Sequence, residues 1–225
     1  MTLPLIKICG FTNIDTLESI SHLQIDYIGF VFAYSRRQVS SGQAAEMIAW
    51  MQRQPTSFRP QTVGVFVNPS FAELEACLQT ASLDVIQLHG QETPECCRQI
   101  RQELGRKVFK VFSVPPQSAA IEATILQQLD AYAGVVDAIM LDTFDPLVGG
   151  GSGKSFSWDN IPVVQVWAKR RKLPLFIAGG LNPDNIGRLI AQYAPDGVDV
   201  SSGVETEGMK APEKIKRFVE RVSQS

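Results

Sequence analysis

An α/β chain closed into a single (β/α)8 TIM barrel is what this sequence predicts, and three observations predict it. A short apolar or β-branched run, a loop and a longer amphipathic stretch recur eight times along the chain. The closely spaced turn signals of hairpins are missing, so successive strands need crossover helices and lie parallel. The length, 225 residues, is near the lower end for eight such units and is expected to form one domain over residues 1–225.

In chain order the expected strands are Leu5 to Cys9, Tyr27 to Phe32, Thr62 to Val67, Val85 to Leu88, Val108 to Phe112, Ala138 to Leu141, Leu175 to Ala178 and Val198 to Val200. Such short, largely apolar runs are what a sheet covered by helices outside and filled by side chains inside requires. Helix starts are marked between them. Asn13 precedes Ile14, Ser41 precedes Gly42, Thr93-Pro94 leads into Glu95, and Asn182-Pro183 follows a glycine pair. In each, a short polar side chain can accept from the first free N–H groups, and proline suits the first helical position. After the third strand the cap falls on Asn68 or on Ser70, both compatible with Pro69 between them. The long irregular stretch is Asp145 to Ser157, rich in glycine.

Composition narrows the partner. Hydrophobic residues make up 44%, charged residues 20%, and the formal net charge is -2, so no basic face is offered to nucleic acid. No apolar run approaches the roughly eighteen residues that span a bilayer. A small phosphorylated molecule is the expected ligand, and a monomer the expected state. The first strand begins almost at the N-terminus, leaving no room for a secretion leader, so the expected location is the cytoplasm. Cys9, Cys77, Cys96 and Cys97 show no paired C-x-x-C spacing and read as reduced thiols. With His22 and His89 the only histidines, no metal centre is expected.

Two consecutive loops make a candidate anion site. In Phe176-Ile-Ala-Gly-Gly-Leu-Asn-Pro-Asp-Asn185 and in Gly197-Val-Asp-Val-Ser-Ser-Gly203 an apolar run stops abruptly at small residues. Singly, each reads as an ordinary strand-to-helix turn. Together they follow the seventh and eighth strands, where a barrel of this kind keeps a phosphate. Gly179, Gly180 and Gly203 let the backbone approach a ligand, and Ser201 and Ser202 add hydroxyl donors. The helix start at Asn182-Pro183 is expected to turn free N–H groups toward the same place.

The chemistry belongs to the carboxyl ends of the strands. Cys9, alone in an apolar strand, reads as a packing residue. At a strand terminus, with Lys7 two positions back on the same face, it reads instead as a thiol of lowered pKa serving as base or nucleophile. Asp142 ends the run Ala138-Ile-Met-Leu141, either as a solvated capping carboxylate or as an acid kept protonated at the rim. Of Arg36 and Arg37, one reads as a surface residue and the other as a bidentate grip on a carboxylate. Gln87, His89 and Asp199 end further strands, His89 being equally readable as packing or as a ligand contact.

Gly149-Gly-Gly-Ser-Gly-Lys-Ser155 is not a nucleotide loop, because position 148 is Val148 and Phe156-Ser-Trp158 follows where a helix should begin. Gly151, Ser152, Gly153 and Lys154 read instead as a lid over the mouth. No G-x-G-x-x-G fingerprint is present, so no nicotinamide or flavin cofactor is indicated.

Assembled, these residues resemble the phosphoribosylanthranilate isomerase family of tryptophan biosynthesis. The resemblance is carried by Lys7-Ile-Cys-Gly-Phe-Thr-Asn13, Gly29-Phe-Val-Phe32, Ser35-Arg-Arg-Gln-Val39, Val63-Gly-Val-Phe-Val-Asn68, Gln87-Leu-His-Gly90, Leu141-Asp-Thr143, Gly150-Gly-Ser-Gly-Lys154, Gly179-Gly-Leu-Asn-Pro183 and Asp199-Val-Ser-Ser-Gly203. Each is short, but their order spans the chain from the first strand to beyond the last. The resemblance implies an Amadori rearrangement of N-(5'-phosphoribosyl)anthranilate to 1-(2-carboxyphenylamino)-1-deoxyribulose 5-phosphate, with no cofactor. It implies Cys9 as general base, Asp142 as general acid and Arg37 as holder of the anthranilate carboxylate, with Arg36 a bystander. Lys7, His89 and Asp199 are expected beside the substrate. Two departures are an extra glycine before the lid motif, in Val148-Gly-Gly-Gly-Ser152, and a short loop at Ala33 to Arg37.

Three rivals compete. The histidine-pathway aminoaldose isomerase of the same barrel type is similar to an enzyme with two aspartates as acid and base, whereas Cys9 stands here. The others are a catalytically silent phosphate-binding barrel and a dual-substrate isomerase.

Overall fold

Eight parallel strands pair in sequence order and close, β8 against β1, in a computed structural model that describes residues 3–54, 59–114, 121–143 and 158–225. The strands are β1 (Leu5–Cys9), β2 (Tyr27–Val31), β3 (Gln61–Phe66), β4 (Val85–Leu88), β5 (Lys107–Val114), β6 (Ala138–Thr143), β7 (Leu175–Ile177) and β8 (Gly197–Val200). Between and after them run α1 (Ile14–Ile20), α2 (Ser41–Gln52), α3 (Phe71–Thr80), α4 (Pro94–Glu103), α5 (Ile121–Tyr132), α6 (Ile161–Arg171), α7 (Ile186–Tyr193) and α8 (Pro212–Ser223). The fold is the expected (β/α)8 barrel. Among the described residues no helix is long and apolar enough to cross a membrane.

Strand limits move by a residue or two where polar residues still find a ladder partner. Asp142 and Thr143 pair with Ser113 and Val114 of β5, so Asp142 lies within β6 rather than after it. A strand holds a side chain's direction more tightly than a loop does. A short antiparallel hairpin, β9 (Glu205–Thr206) with β10 (Met209–Lys210), follows β8 and has no counterpart in the sequence expectations.

The capping residues explain where helices begin. Asn13 accepts from the Thr16 N–H and Thr93 from the Cys96 N–H, as expected. For α2 the cap is Ser40 rather than Ser41, because Gln43 then stands at the third helical position and closes a reciprocal capping box. Ser70 caps α3 through the same device with Glu73. Asn68 instead adopts a left-handed conformation, φ 47°, and accepts from the Gln91 N–H. The start of α7 differs from expectation. The Asn182 side chain accepts from the N–H groups of Asp184 and Asn185, making a separate turn, and the helix proper begins at Ile186. Those two N–H groups are used internally and do not serve the anion loop.

The amino end of the barrel is stitched by a repeated aspartate. Asp26, Asp84, Asp137 and Asp196 each precede an even-numbered strand and accept from the first N–H groups of the odd strand before it: Ile6 at 2.7 Å, Thr62 at 2.7 Å, Val108 at 2.8 Å and Leu175 at 2.9 Å. The first three also donate their own N–H to that same residue's carbonyl. A carboxylate on a backbone N–H is a charge-assisted bond, and here it ties each odd strand's start to the segment before the next strand.

Inside, Tyr27, Phe109 and Phe176 meet with ring centroids 5.4 to 5.8 Å apart, and Val63, Val85, Val111, Ala138 and Met140 fill the space around them. This plug makes the barrel a packed core, each buried aliphatic or aromatic side chain contributing about 1.5–3 kcal/mol. Outward-facing strand residues such as Ile8, Ile28, Ile86 and Ile139 join the helix faces in a second, larger apolar layer.

Candidate active site

At the carboxyl mouth the barrel interior turns polar. Cys9 from β1, Gln87 from β4, His89 just after it, Asp142 from β6 and Asp199 from β8 line one pocket, together with Arg37, Gly179, Gly180, Ser201 and Ser202. The sequence-predicted acid, base and anion loops therefore share one cavity. Lys7 does not line it. Its side chain is fully buried, and its Nζ donates to Asp199 Oδ1 at 2.9 Å. Burial favours the neutral amine, but Asp199 and Cys9 outweigh it and raise the lysine pKa above its ordinary value. Lys7 is a buried cation held by a carboxylate.

Cys9 owes its space to a glycine. Gly29 is its ladder partner on β2, and a Cβ placed there would stand 2.8 Å from Cys9 Sγ. The thiol differs from expectation in one respect. Burial pushes its pKa up, and the opposing pull of Lys7 does not overcome that, so the resting group is the neutral thiol. Across the pocket, His89 Nε2 stands 3.4 Å from Asp142 Oδ2. Burial, then the nearby Lys110 cation, push the imidazole down to about 4, so at neutral pH this contact joins a carboxyl group to an uncharged ring.

Both arginines meet an internal carboxylate. Arg37 Nε and Nη2 donate to the two oxygens of Glu205 at 2.6 and 2.9 Å, and Arg36 Nη2 donates to the same carboxylate at 2.8 Å. Arg36, read from the sequence as the bystander, shares that carboxylate from the surface, its side chain 58% exposed against 12% for Arg37. Lys210 adds a third cation. Burial would push the Glu205 carboxyl up, but hydrogen bonds from Arg37 and Lys210 outweigh it and hold the group below the usual range.

The two loops expected to hold the anion carry internal duties. The Ser201 hydroxyl donates to the Cys9 carbonyl at 2.9 Å, while Lys210 Nζ reaches the Ser201 carbonyl at 3.1 Å, so this serine ties β8 to β1. Gly203 lies outside the pocket lining; a Cβ there would stand 1.8 Å from the Leu181 carbonyl oxygen, so it lets the two loops touch. Gly179 and Gly180 have φ of 82° and 66°, a conformation that favours glycine. Gly151, Ser152, Gly153 and Lys154, read from the sequence as a lid, lie outside the described residues.

Residues 6–221 match the family described as N-(5'phosphoribosyl)anthranilate (PRA) isomerase. The chain belongs to the phosphoribosylanthranilate isomerase family. Among its relatives, the N-(5'-phosphoribosyl)anthranilate isomerase of Brevibacillus brevis is 45% identical over 217 residues, covering 96% of this chain and 92% of that one. The crystal structure of the Thermotoga maritima phosphoribosyl anthranilate isomerase superposes with a TM-score of 0.78 at 33% identity, covering 99% of this chain and 100% of that one. A phosphoribosyl anthranilate isomerase crystallised in complex with reduced 1-(o-carboxyphenylamino)-1-deoxyribulose 5-phosphate has a TM-score of 0.73 at 30% identity, covering 99% of this chain and 100% of that one.

Two polar clusters of this phosphoribosylanthranilate isomerase family member were missed by sequence reasoning. One is Glu205 with its three cations. The other is a buried pair behind His89, where Lys110 Nζ meets Glu92 Oε2 at 3.1 Å while Glu92 accepts from the N–H groups of Asn68 and Gly90. A lysine amid Val108-Phe-Lys-Val-Phe112 was the available signal, since an unpaired charge in an apolar strand demands a partner. Nothing local marked Glu205.

Proposed function

We propose that this protein converts N-(5'-phosphoribosyl)anthranilate to 1-(2-carboxyphenylamino)-1-deoxyribulose 5-phosphate in tryptophan biosynthesis, with Asp142 as general acid and Cys9 as general base. The observation that carries this reading is the placement of both groups on one pocket, from separate strands, beside an uncharged Gly/Ser cradle and an arginine. The substrate's phosphate suits the cradle of Gly179, Gly180 and Ser202. Its carboxylate suits Arg37, which gives two of its five guanidinium N–H groups to Glu205 and spends no other on the described residues. Binding energy from those two charged ends would orient the sugar between the acid and the base.

The steps follow from electron demand. Asp142 gives its proton to the furanose ring oxygen as the bond from C1 to that oxygen breaks. The anilino nitrogen lone pair then forms the C1=N bond of an iminium ion. That cation acidifies the hydrogen on C2, and the Cys9 thiolate removes it; the C–H electrons become a C1=C2 bond and the C=N pair returns to nitrogen. The resulting enolamine takes a proton at C1 and loses one from the C2 hydroxyl, giving the ketose. Neutral His89 beside Asp142 adds no positive charge that would hold the acid in its ionised form. The raised thiol pKa limits how much thiolate is present but makes that thiolate a stronger base. Charged Lys7, two residues back and paired with Asp199, favours the ionised sulfur.

The test supplies enzymatically generated phosphoribosylanthranilate and follows its disappearance by anthranilate fluorescence, with the histidine-pathway aminoaldose in parallel. Turnover of the first alone is expected. Turnover of neither would favour the silent phosphate-binding barrel, and turnover of both the dual-substrate reading.

A further inference from the structure

Three buried side-chain polar atoms have no hydrogen-bond partner among the described residues: Gln87 Oε1, Arg106 Nε and Trp158 Nε1. Of these residues, Gln87 alone lines the pocket shared by Cys9 and Asp142. It is 2% exposed, and its ladder neighbours are Val65 on β3 and Phe109 on β5, whose side chains have no donor to give. Burying an amide oxygen without a donor costs stability, and methionine or leucine of similar size would fill the position without that cost. An unmet acceptor in a binding pocket is accounted for if the ligand brings the donor.

The chemistry of the ligand selects which donor. The phosphate and carboxylate ends present oxygen lone pairs and cannot serve an acceptor. Between them the substrate carries the anilino N–H, which sits beside the carboxylate end, and the sugar hydroxyl groups, in the region that must also reach Cys9 and Asp142. We infer that Gln87 is a substrate-contacting residue, its Oε1 accepting a hydrogen bond from a hydroxyl of the ribose chain. This deepens the functional reading above and rests on it. Gln87 then recognises the polyol middle of the substrate, while the cradle and Arg37 recognise its ends. A ligand with correct ends and no hydroxyls forfeits this contact and leaves the buried oxygen unpaired.

The experiment compares two probes. Reduced 1-(2-carboxyphenylamino)-1-deoxyribulose 5-phosphate keeps the hydroxyls; 5-(2-carboxyphenylamino)pentyl phosphate keeps both charged ends and lacks them. Titration calorimetry with the wild-type chain should show the polyol probe binding at least tenfold more tightly. Gln87→Met, with Gln87→Leu as a second variant, should lose about tenfold on the polyol probe, stay within twofold on the pentyl probe, and show no fall in Tm. kcat/KM for phosphoribosylanthranilate should drop by at least tenfold in parallel. An equal loss on both probes, no loss on either, or a wild-type chain indifferent to the hydroxyls would overturn the inference, the last without any variant having to fold. Wild-type turnover measured in the same series keeps the two ideas apart. No wild-type turnover rejects the functional reading, whereas turnover that Gln87→Met leaves intact rejects only the role of Gln87.

Discussion

Protonation of His89 is a perturbation whose cost can be worked from the structure. Burial comes first among the causes that push its pKa to about 4, followed by the Lys110 cation, against an ordinary 6.5. Its side chain is only 20% exposed, so solvent screens the effect weakly. Between those two pH values the unfolded chain binds the proton and the folded chain does not, so stability is complete above pH 6.5 and is lost as pH falls toward 4. At about 1.4 kcal/mol per pH unit the full loss is about 3 kcal/mol, with about 1.4 kcal/mol already gone at pH 5.5. His89→Gln removes the titrating group and keeps a polar side chain. Urea unfolding followed by tryptophan fluorescence, at pH 7, 5.5 and 4, reads the difference. Every other titrating group is common to the two chains, so the excess acid loss of the wild type isolates His89. Parallel stability curves for the two chains across this range would refute the claim that the imidazole beside Asp142 is held uncharged.

Three further outcomes are expected. Asp84→Ala removes the acceptor for the Thr62 N–H and hydroxyl, at 2.7 and 2.8 Å, and should cost about 1–3 kcal/mol in urea unfolding. Its kcat/KM should stay within about twofold, because the clamp lies at the barrel end away from the pocket. Gly29→Ala sets a methyl group where Cys9 Sγ now stands 2.8 Å away; the sulfur must move, and kcat should fall by roughly 100-fold, read in the fluorescence assay with Tm measured alongside. With Cys9 as the proposed base, the limb of kcat/KM that rises with pH should lie above the ordinary thiol range, since burial raises the Cys9 pKa; a plateau reached by neutral pH would contradict this.

Much of the fold was legible because the pattern is strongly local. Each strand is a compact apolar run, and caps such as Asn13 and Thr93 carry their partners within three residues. Closure into a barrel followed from the number of units, and the pocket from the rule that strand ends face one mouth. What escaped was non-local or competitive. Glu205 meets Arg36 and Arg37 across some 170 positions of sequence, so no window could join them. Asn182 looked like a helix cap, yet its side chain closes its own turn first. The Cys9 pKa depends on a contest between burial and one cation, and the spacing of Lys7 and Cys9 reveals the cation but not the depth. The four clamping aspartates were visible as an apolar-Asp pair before every second strand, in Ile25-Asp26, Leu83-Asp84, Val136-Asp137 and, with proline, Pro195-Asp196. Their meaning depends on the neighbouring strand's register.

The central claim concerns two proton-transfer groups on one rim, and single-turnover kinetics of Cys9→Ser and Asp142→Asn on phosphoribosylanthranilate, with affinity for the reduced product analogue measured beside them, test it most directly. Each variant should lose roughly 100-fold to 10,000-fold or more in the chemical step while binding the analogue within a few-fold of the wild type, because the cradle and Arg37 are untouched. Either variant turning over at the wild-type rate would contradict the assignment of its residue.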